Sequence, residues 1–94
     1  MMVGGVAGSP VRTASAVLNI GVCKLNSIHF TSTNTATLKI YDSASTTVGS
    51  SDEVARLILT ANTTTEFDFH GRAMGTGITA ILTGSGGAYS CTWS

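Results

Sequence analysis

The sequence predicts a single small all-β domain, an antiparallel β-sandwich or small barrel of six to seven strands. Three observations lead to this fold class. The 94 residues include 15 Thr and 11 Ser but only two Glu and two Lys, so β-branched residues replace the usual surface helix formers. Short alternating stretches recur along the whole chain, and Gly, Ser and Asn separate them. No stretch has the length of a crossover helix, which argues against a parallel α/β fold.

The strands are expected over stretches whose apolar residues alternate with polar ones or run together between turn residues. Residues 64–70 alternate most clearly, with Phe67 and Phe69 on one face and Glu66, Asp68 and His70 on the other. The predicted strands cover residues 11–22, 23–31, 36–42, 53–60, 64–70, 78–83 and 88–94, with a loop at 71–77. Gly84 to Gly87 predict a hairpin between the last two strands. A short helical turn at residues 51–55 is an open alternative to the start of the strand at Glu53.

The first ten residues predict an N-terminal arm that precedes a β domain at residues 11–94. Three glycines interrupt the arm and Pro10 ends it. One interpretation is a disordered terminus. The other is an arm that orders against a neighbouring subunit through Val3, Val6 and Val11. The arm lacks the leading positive charge of a secretory signal, and no apolar run reaches the length of a membrane span.

Charge and chemistry disfavour several classes of function. Five basic and five acidic residues give a formal net charge of zero, with no basic stripe for nucleic acid and little protection against self-association. Glu66, Asp68 and His70 share a face, but their spacing is better explained as a solvated strand face than as a metal site. No serine has the setting of a hydrolase nucleophile, and Gly84 to Gly87 lack the Lys and helix of a phosphate loop. We therefore expect no enzyme, cofactor or small-molecule substrate.

Cysteines and aromatic residues are the remaining candidates. Cys23 and Cys91 are interpreted as reduced core thiols, with a disulfide as the alternative in an oxidising compartment. Tyr41 alternates with Leu38 and Ile40 and is expected to be exposed. Trp93 is expected to be a core residue or an interface anchor.

The second half of the chain resembles small virion proteins of tailed bacteriophages. The resemblance covers residues 36–94 and includes Lys39-Ile40-Tyr41-Asp42, the following Ser/Thr loop, the Phe67-x-Phe69 strand and the stretch from Gly77 to Gly84. It implies a non-enzymatic β-sandwich that binds the virion shell as a capsid decoration, or cement, protein after assembly in the host cytoplasm. The expected partners are the major capsid protein and further copies of this chain, without nucleic acid or membrane. The candidate contact residues are Val3, Val6, Val11, Arg12, Tyr41 and Trp93. The alternative is a carbohydrate- or receptor-binding module of a tail fibre.

Overall fold

The computed structural model describes residues 7–94 and contains eight strands. The one helical element is a 3-10 turn, Ser50–Asp52, in the described part of the chain. None of its helices is long and apolar enough to cross a membrane. The strands are β1 (Ala7–Gly8), β2 (Ala16–Ile20), β3 (Cys23–Ser32), β4 (Ala36–Tyr41), β5 (Glu53–Leu59), β6 (Thr63–Met74), β7 (Gly77–Thr83) and β8 (Gly87–Trp93).

The strands form two antiparallel four-stranded sheets that pack into a β-sandwich, which confirms the predicted fold class. The strand orders are β1-β8-β3-β6 in the first sheet and β2-β7-β4-β5 in the second. The strand pairs β4–β5, β3–β6, β2–β7 and β1–β8 are nested, as they would be in one long hairpin folded over into two sheets. This is the strand order of a jelly roll.

Alternation along the strands builds the core between the two sheets. Phe30, Tyr89 and Leu38 are almost fully buried, whereas residues of opposite parity face outward. The core consists of Cys23, Leu25, Ile28, Phe30, Ala36, Leu38, Ile40, Leu57, Leu59, Met74, Ile78, Ala80, Tyr89 and Cys91. The buried Tyr89 hydroxyl donates a 2.8 Å hydrogen bond to the Ala14 carbonyl, so its polar end is satisfied where the chain passes between the sheets.

Three sequence expectations about local structure are wrong. The glycine-rich stretch after Thr83 does not close a hairpin, because β7 and β8 belong to different sheets and the turn is a crossover. Residues 71–74 are strand rather than loop, since β6 continues to Met74 beyond an irregularity at His70 and Gly71. The first predicted strand begins at Ala16, not at residue 11.

Asp42 joins the end of β4 to the crossover between β6 and β7. Its carboxylate accepts backbone hydrogen bonds from Gly75 (2.9 Å), Thr76 (2.7 Å) and Gly77 (3.2 Å). Burial by itself would raise the pKa of Asp42, but these three donors and the positive charge of Arg72 outweigh it, and the pKa is lowered. One side chain therefore fixes the crossover that takes the chain from the first sheet to the second.

Gly77 occupies the point where three backbone segments meet beside Asp42. A Cβ atom here would overlap the Asn19 carbonyl oxygen and lie 2.9 Å from that of Ser43. The β6–β7 crossover can therefore approach β2 and the β4–β5 loop only if this residue has no side chain.

Both cysteines are buried and neither forms a disulfide, as the reduced-core interpretation expects. Cys91 lies on the inner face of β8. Burial and the nearby Cys23 raise the pKa of its thiol to about 12.

Replacement of Asp42 by Ala should lower the free energy of unfolding by about 2 kcal/mol or more, because three backbone donors lose a charged acceptor. Asp42→Asn keeps one carbonyl acceptor and should cost less. A lowered carboxyl pKa stabilises the fold above the ordinary value of 3.8, and that stabilisation is lost as the pH falls through the folded pKa. Urea unfolding between pH 7 and pH 2 checks both points. If the difference in unfolding free energy between wild type and Asp42→Asn were the same at pH 2 as at pH 7, the lowered pKa of Asp42 would be contradicted.

Alkaline pH should destabilise the fold through Cys91. The unfolded thiol ionises near 9.0 and the folded thiol near about 12, so stability is complete below the first value and falls as the pH rises between the two. The fall should approach about 1.4 kcal/mol per pH unit within that window. Denaturant titrations of wild type and Cys91→Ala measure it, and the variant should show a distinctly flatter pH dependence.

Candidate functional site

The most complex polar surface lies on the outer face of the first sheet. The strand register determines which side chains are neighbours on this face: His29 of β3 is opposite Glu66 of β6 and Ser90 of β8. Neighbouring rows place Thr31 opposite Thr64, and their hydroxyls are 2.7 Å apart. We call this surface the outer polar face; it consists of Ser27, His29, Thr31, Thr64, Glu66, Asp68, Ser90 and Thr92.

His29 and Glu66 form the closest charged contact on the outer polar face. The His29 Nε2 and Glu66 Oε2 atoms are 3.3 Å apart, and more than half of each side chain is exposed. An exposed pair of this kind contributes little to stability and leaves both groups in contact with solvent.

Asp68 and His70 serve the backbone rather than a ligand. His70 has φ 54° and Gly71 has φ 74°, which places two successive residues in the left-handed region. The Asp68 Oδ1 atom accepts a 2.8 Å hydrogen bond from the His70 backbone N–H, so the carboxylate stabilises this bend. The bend takes up the register shift between β3 and β6 opposite Asn26.

The described residues hold no cluster of three or more His, Cys, Asp or Glu side chains that could bind a metal ion. Glu66 faces His29, whereas Asp68 is turned to the backbone of His70. The alternation that placed Glu66, Asp68 and His70 on one exposed face is right, since all three side chains are exposed.

A shallow depression of about 100 Å³ lies at one end of the outer polar face. Its exposed surface is almost entirely apolar. Val11 forms one wall and is 69% exposed. The lining residues are Val11, His29, Phe30, Thr31, Thr64, Ala88, Tyr89 and Ser90. The depression can receive one small apolar group.

The described part of the N-terminal arm pairs with its own chain. Ala7 and Gly8 form β1 against the end of β8, and Arg12 exchanges two backbone hydrogen bonds with Tyr89. The Arg12 side chain is half-buried, and its Nε atom has no hydrogen-bond partner. Val3 and Val6, the other candidate contacts in the arm, lie outside the described residues.

The expectation that Tyr41 is exposed is wrong. Its side chain is only 7% exposed, although it has the outward parity. Tyr41 pairs with Thr79, which is fully buried and donates a hydrogen bond to the Ser43 carbonyl. The β4–β5 loop therefore covers this end of the outer face of the second sheet. Alternation within β4 alone cannot reveal such a covering loop. Trp93 is half-buried against the core.

Sequence reasoning missed the most exposed apolar side chains. Ile20 (75%) and Val22 (84%) flank Gly21 at the β2–β3 turn, and Ile58 (62%) points outward from β5. The signal for Ile58 was present, because it has the opposite parity to the inward Leu57 and Leu59.

Comparison with known proteins adds no assignment, since no family model, curated protein or solved structure matches this chain.

His70 offers a direct test of the β6 bend. A left-handed backbone conformation costs a residue with a side chain about 1–2 kcal/mol, and more than that for a β-branched residue. The His70 side chain is 85% exposed, so its replacement removes little packing. His70→Gly should therefore be more stable than His70→Val by about 1–2 kcal/mol in denaturant unfolding. Equal stabilities would mean that the bend is absent.

Proposed function

We propose that this chain is a structural virion protein of a tailed phage, a capsid decoration protein that binds the outer shell. The jelly-roll strand order carries the proposal, since this architecture serves viral capsid and lectin domains. The resemblance of residues 36–94 to small phage virion proteins supports it independently.

The surface chemistry is consistent with binding rather than catalysis. The two histidines are exposed, and His29 contacts a carboxylate that is equally exposed. The Cys91 thiol is buried and its pKa is raised to about 12, so it is a poor nucleophile at neutral pH. The exposed side chains of Val11, Ile20 and Val22 provide apolar contacts that a partner surface could bury.

Val11 is the best contact candidate among the described residues of the arm. It stands at the depression with 69% of its surface exposed. Its backbone neighbour Arg12 is hydrogen-bonded to Tyr89, so the side chain is presented from an ordered segment. A shell protein could insert an apolar residue between Val11 and Ala88 without unfolding the arm.

Virions of the phage that encodes this chain provide the test. Mass spectrometry should detect the protein in purified particles, and electron cryomicroscopy should place it on the outer head surface. Particles lacking the protein should regain it when purified wild-type protein is added. Val11→Asp should lower the occupancy at least about tenfold, since a charge would be buried. Thr47→Asp, in an exposed loop, is the matched control and should bind like wild type.

The outcomes separate the alternatives. Absence of the protein from virions would overturn the proposal, and density on the tail would replace decoration with the tail alternative. The depression favours a carbohydrate- or receptor-binding module as that second candidate, because a concave apolar surface suits the apolar part of a small ligand. Specific binding on a glycan array that Ala88→Trp abolishes would support it.

A further inference from the structure

The four edge strands of the sandwich differ in how well they are protected against pairing with another strand. In the part of the chain that the structure describes, β1 has two residues, and β2 has five residues with a register shift between Val17 and Asn19. β6 is long, but Glu66, Asp68 and Arg72 project from it and the His70 bend interrupts it. Short length, charge and bulges are the devices that prevent edge-to-edge association. Three of the four edges therefore have such protection.

β5 is the least protected edge. It has seven residues, and its register shift against β4, between Ile40 and Tyr41, affects only the end near Glu53. Its two charged residues are paired with each other, since Arg56 donates two hydrogen bonds of 2.8 and 2.9 Å to Glu53. The next outward residue, Ile58, is 62% exposed. A β-branched apolar side chain on an open edge is favourable for strand pairing.

The backbone groups that face the open side of β5 can be identified from the ladder. The Leu82 N–H donates to the Ser15 hydroxyl on the β2 side, so Leu82 does not hydrogen-bond to β4. Its partner Leu38 must then direct its N–H and C=O towards Leu57 of β5. Because these directions alternate along a strand, Arg56 and Ile58 direct theirs away from the sheet.

We propose that two copies of this chain pair through their β5 edges, in antiparallel orientation about a two-fold axis. The two β2-β7-β4-β5 sheets then become one eight-stranded sheet. A strand is the occupant that the free backbone groups require, and β5 is self-complementary in the antiparallel orientation. The zero net charge of the chain removes overall repulsion between the copies.

Arg56 and Ile58 also determine the register in which the two β5 strands pair. If Leu57 lies on the two-fold axis, Arg56 of each copy is opposite Ile58 of the other, and all four residues exchange backbone hydrogen bonds. The aliphatic part of Arg56 then covers the exposed Ile58 side chain. A shift that placed Arg56 opposite Arg56 would bring like charges together and is disfavoured. This dimer does not depend on a virion role for the protein.

Analytical ultracentrifugation of the full chain over a range of concentrations tests the proposal. The wild type should dimerise, and Ile58→Lys should raise the dimer dissociation constant at least about tenfold. Ile20→Lys is the matched control, because Ile20 is equally exposed on the opposite edge of the same sheet, and it should dimerise like wild type. A monomeric wild type at every concentration, or equal loss in both variants, would overturn the proposal.

Ile58→Pro tests the backbone contacts themselves. Its missing N–H faces the open edge, so the monomer should keep its far-ultraviolet circular dichroism spectrum while the dimer is lost. Hydrogen exchange gives a readout that needs no variant. In wild type the Arg56 and Ile58 amides should become more protected as the concentration rises, and a protection independent of concentration would contradict the pairing.

Discussion

The three hydrogen bonds to the Asp42 carboxylate are the constraint on which the arrangement of the sandwich depends most. A jelly roll requires the chain to pass repeatedly between sheets, and each crossover exposes backbone donors that no strand can satisfy. At the β6–β7 crossover Asp42 supplies the acceptor for all three. The Asp42 backbone N–H donates a 2.9 Å hydrogen bond to the Asp52 carbonyl, which closes the β4–β5 loop. Its position therefore determines both connections at that end of the molecule.

Apolar alternation predicted most of the fold. The strands around Leu38, Leu57 and Phe67 were placed within a few residues, because burying one face of a strand requires a period of two. The pairing of these strands was not predictable. Glycines after Thr83 have the same local chemistry in a hairpin as in a crossover, and only the packing of distant strands distinguishes the two.

The features of the candidate surface were harder to predict from the sequence than those of the core. Exposure of the face containing Glu66 followed from the alternation along β6. The burial of Tyr41 depends on a loop that folds back over its sheet, and the left-handed bend at His70 follows no common sequence signal. Such features arise where segments far apart in the chain meet, so neither composition nor periodicity records them.

The central position of β8 has a consequence for synthesis of the protein. Gly87–Trp93 lies between β1 and β3, so the first sheet has a gap until these residues have left the ribosome. Until then β3 has an open edge, and the backbone groups of Arg12 and Ser9 lack their β8 partners Tyr89 and Cys91. Folding can therefore finish only after translation of residue 93. Nearly all strand pairings of the protein join residues far apart in the sequence. Folding should therefore be slow enough for the nascent chain to require protection from aggregation.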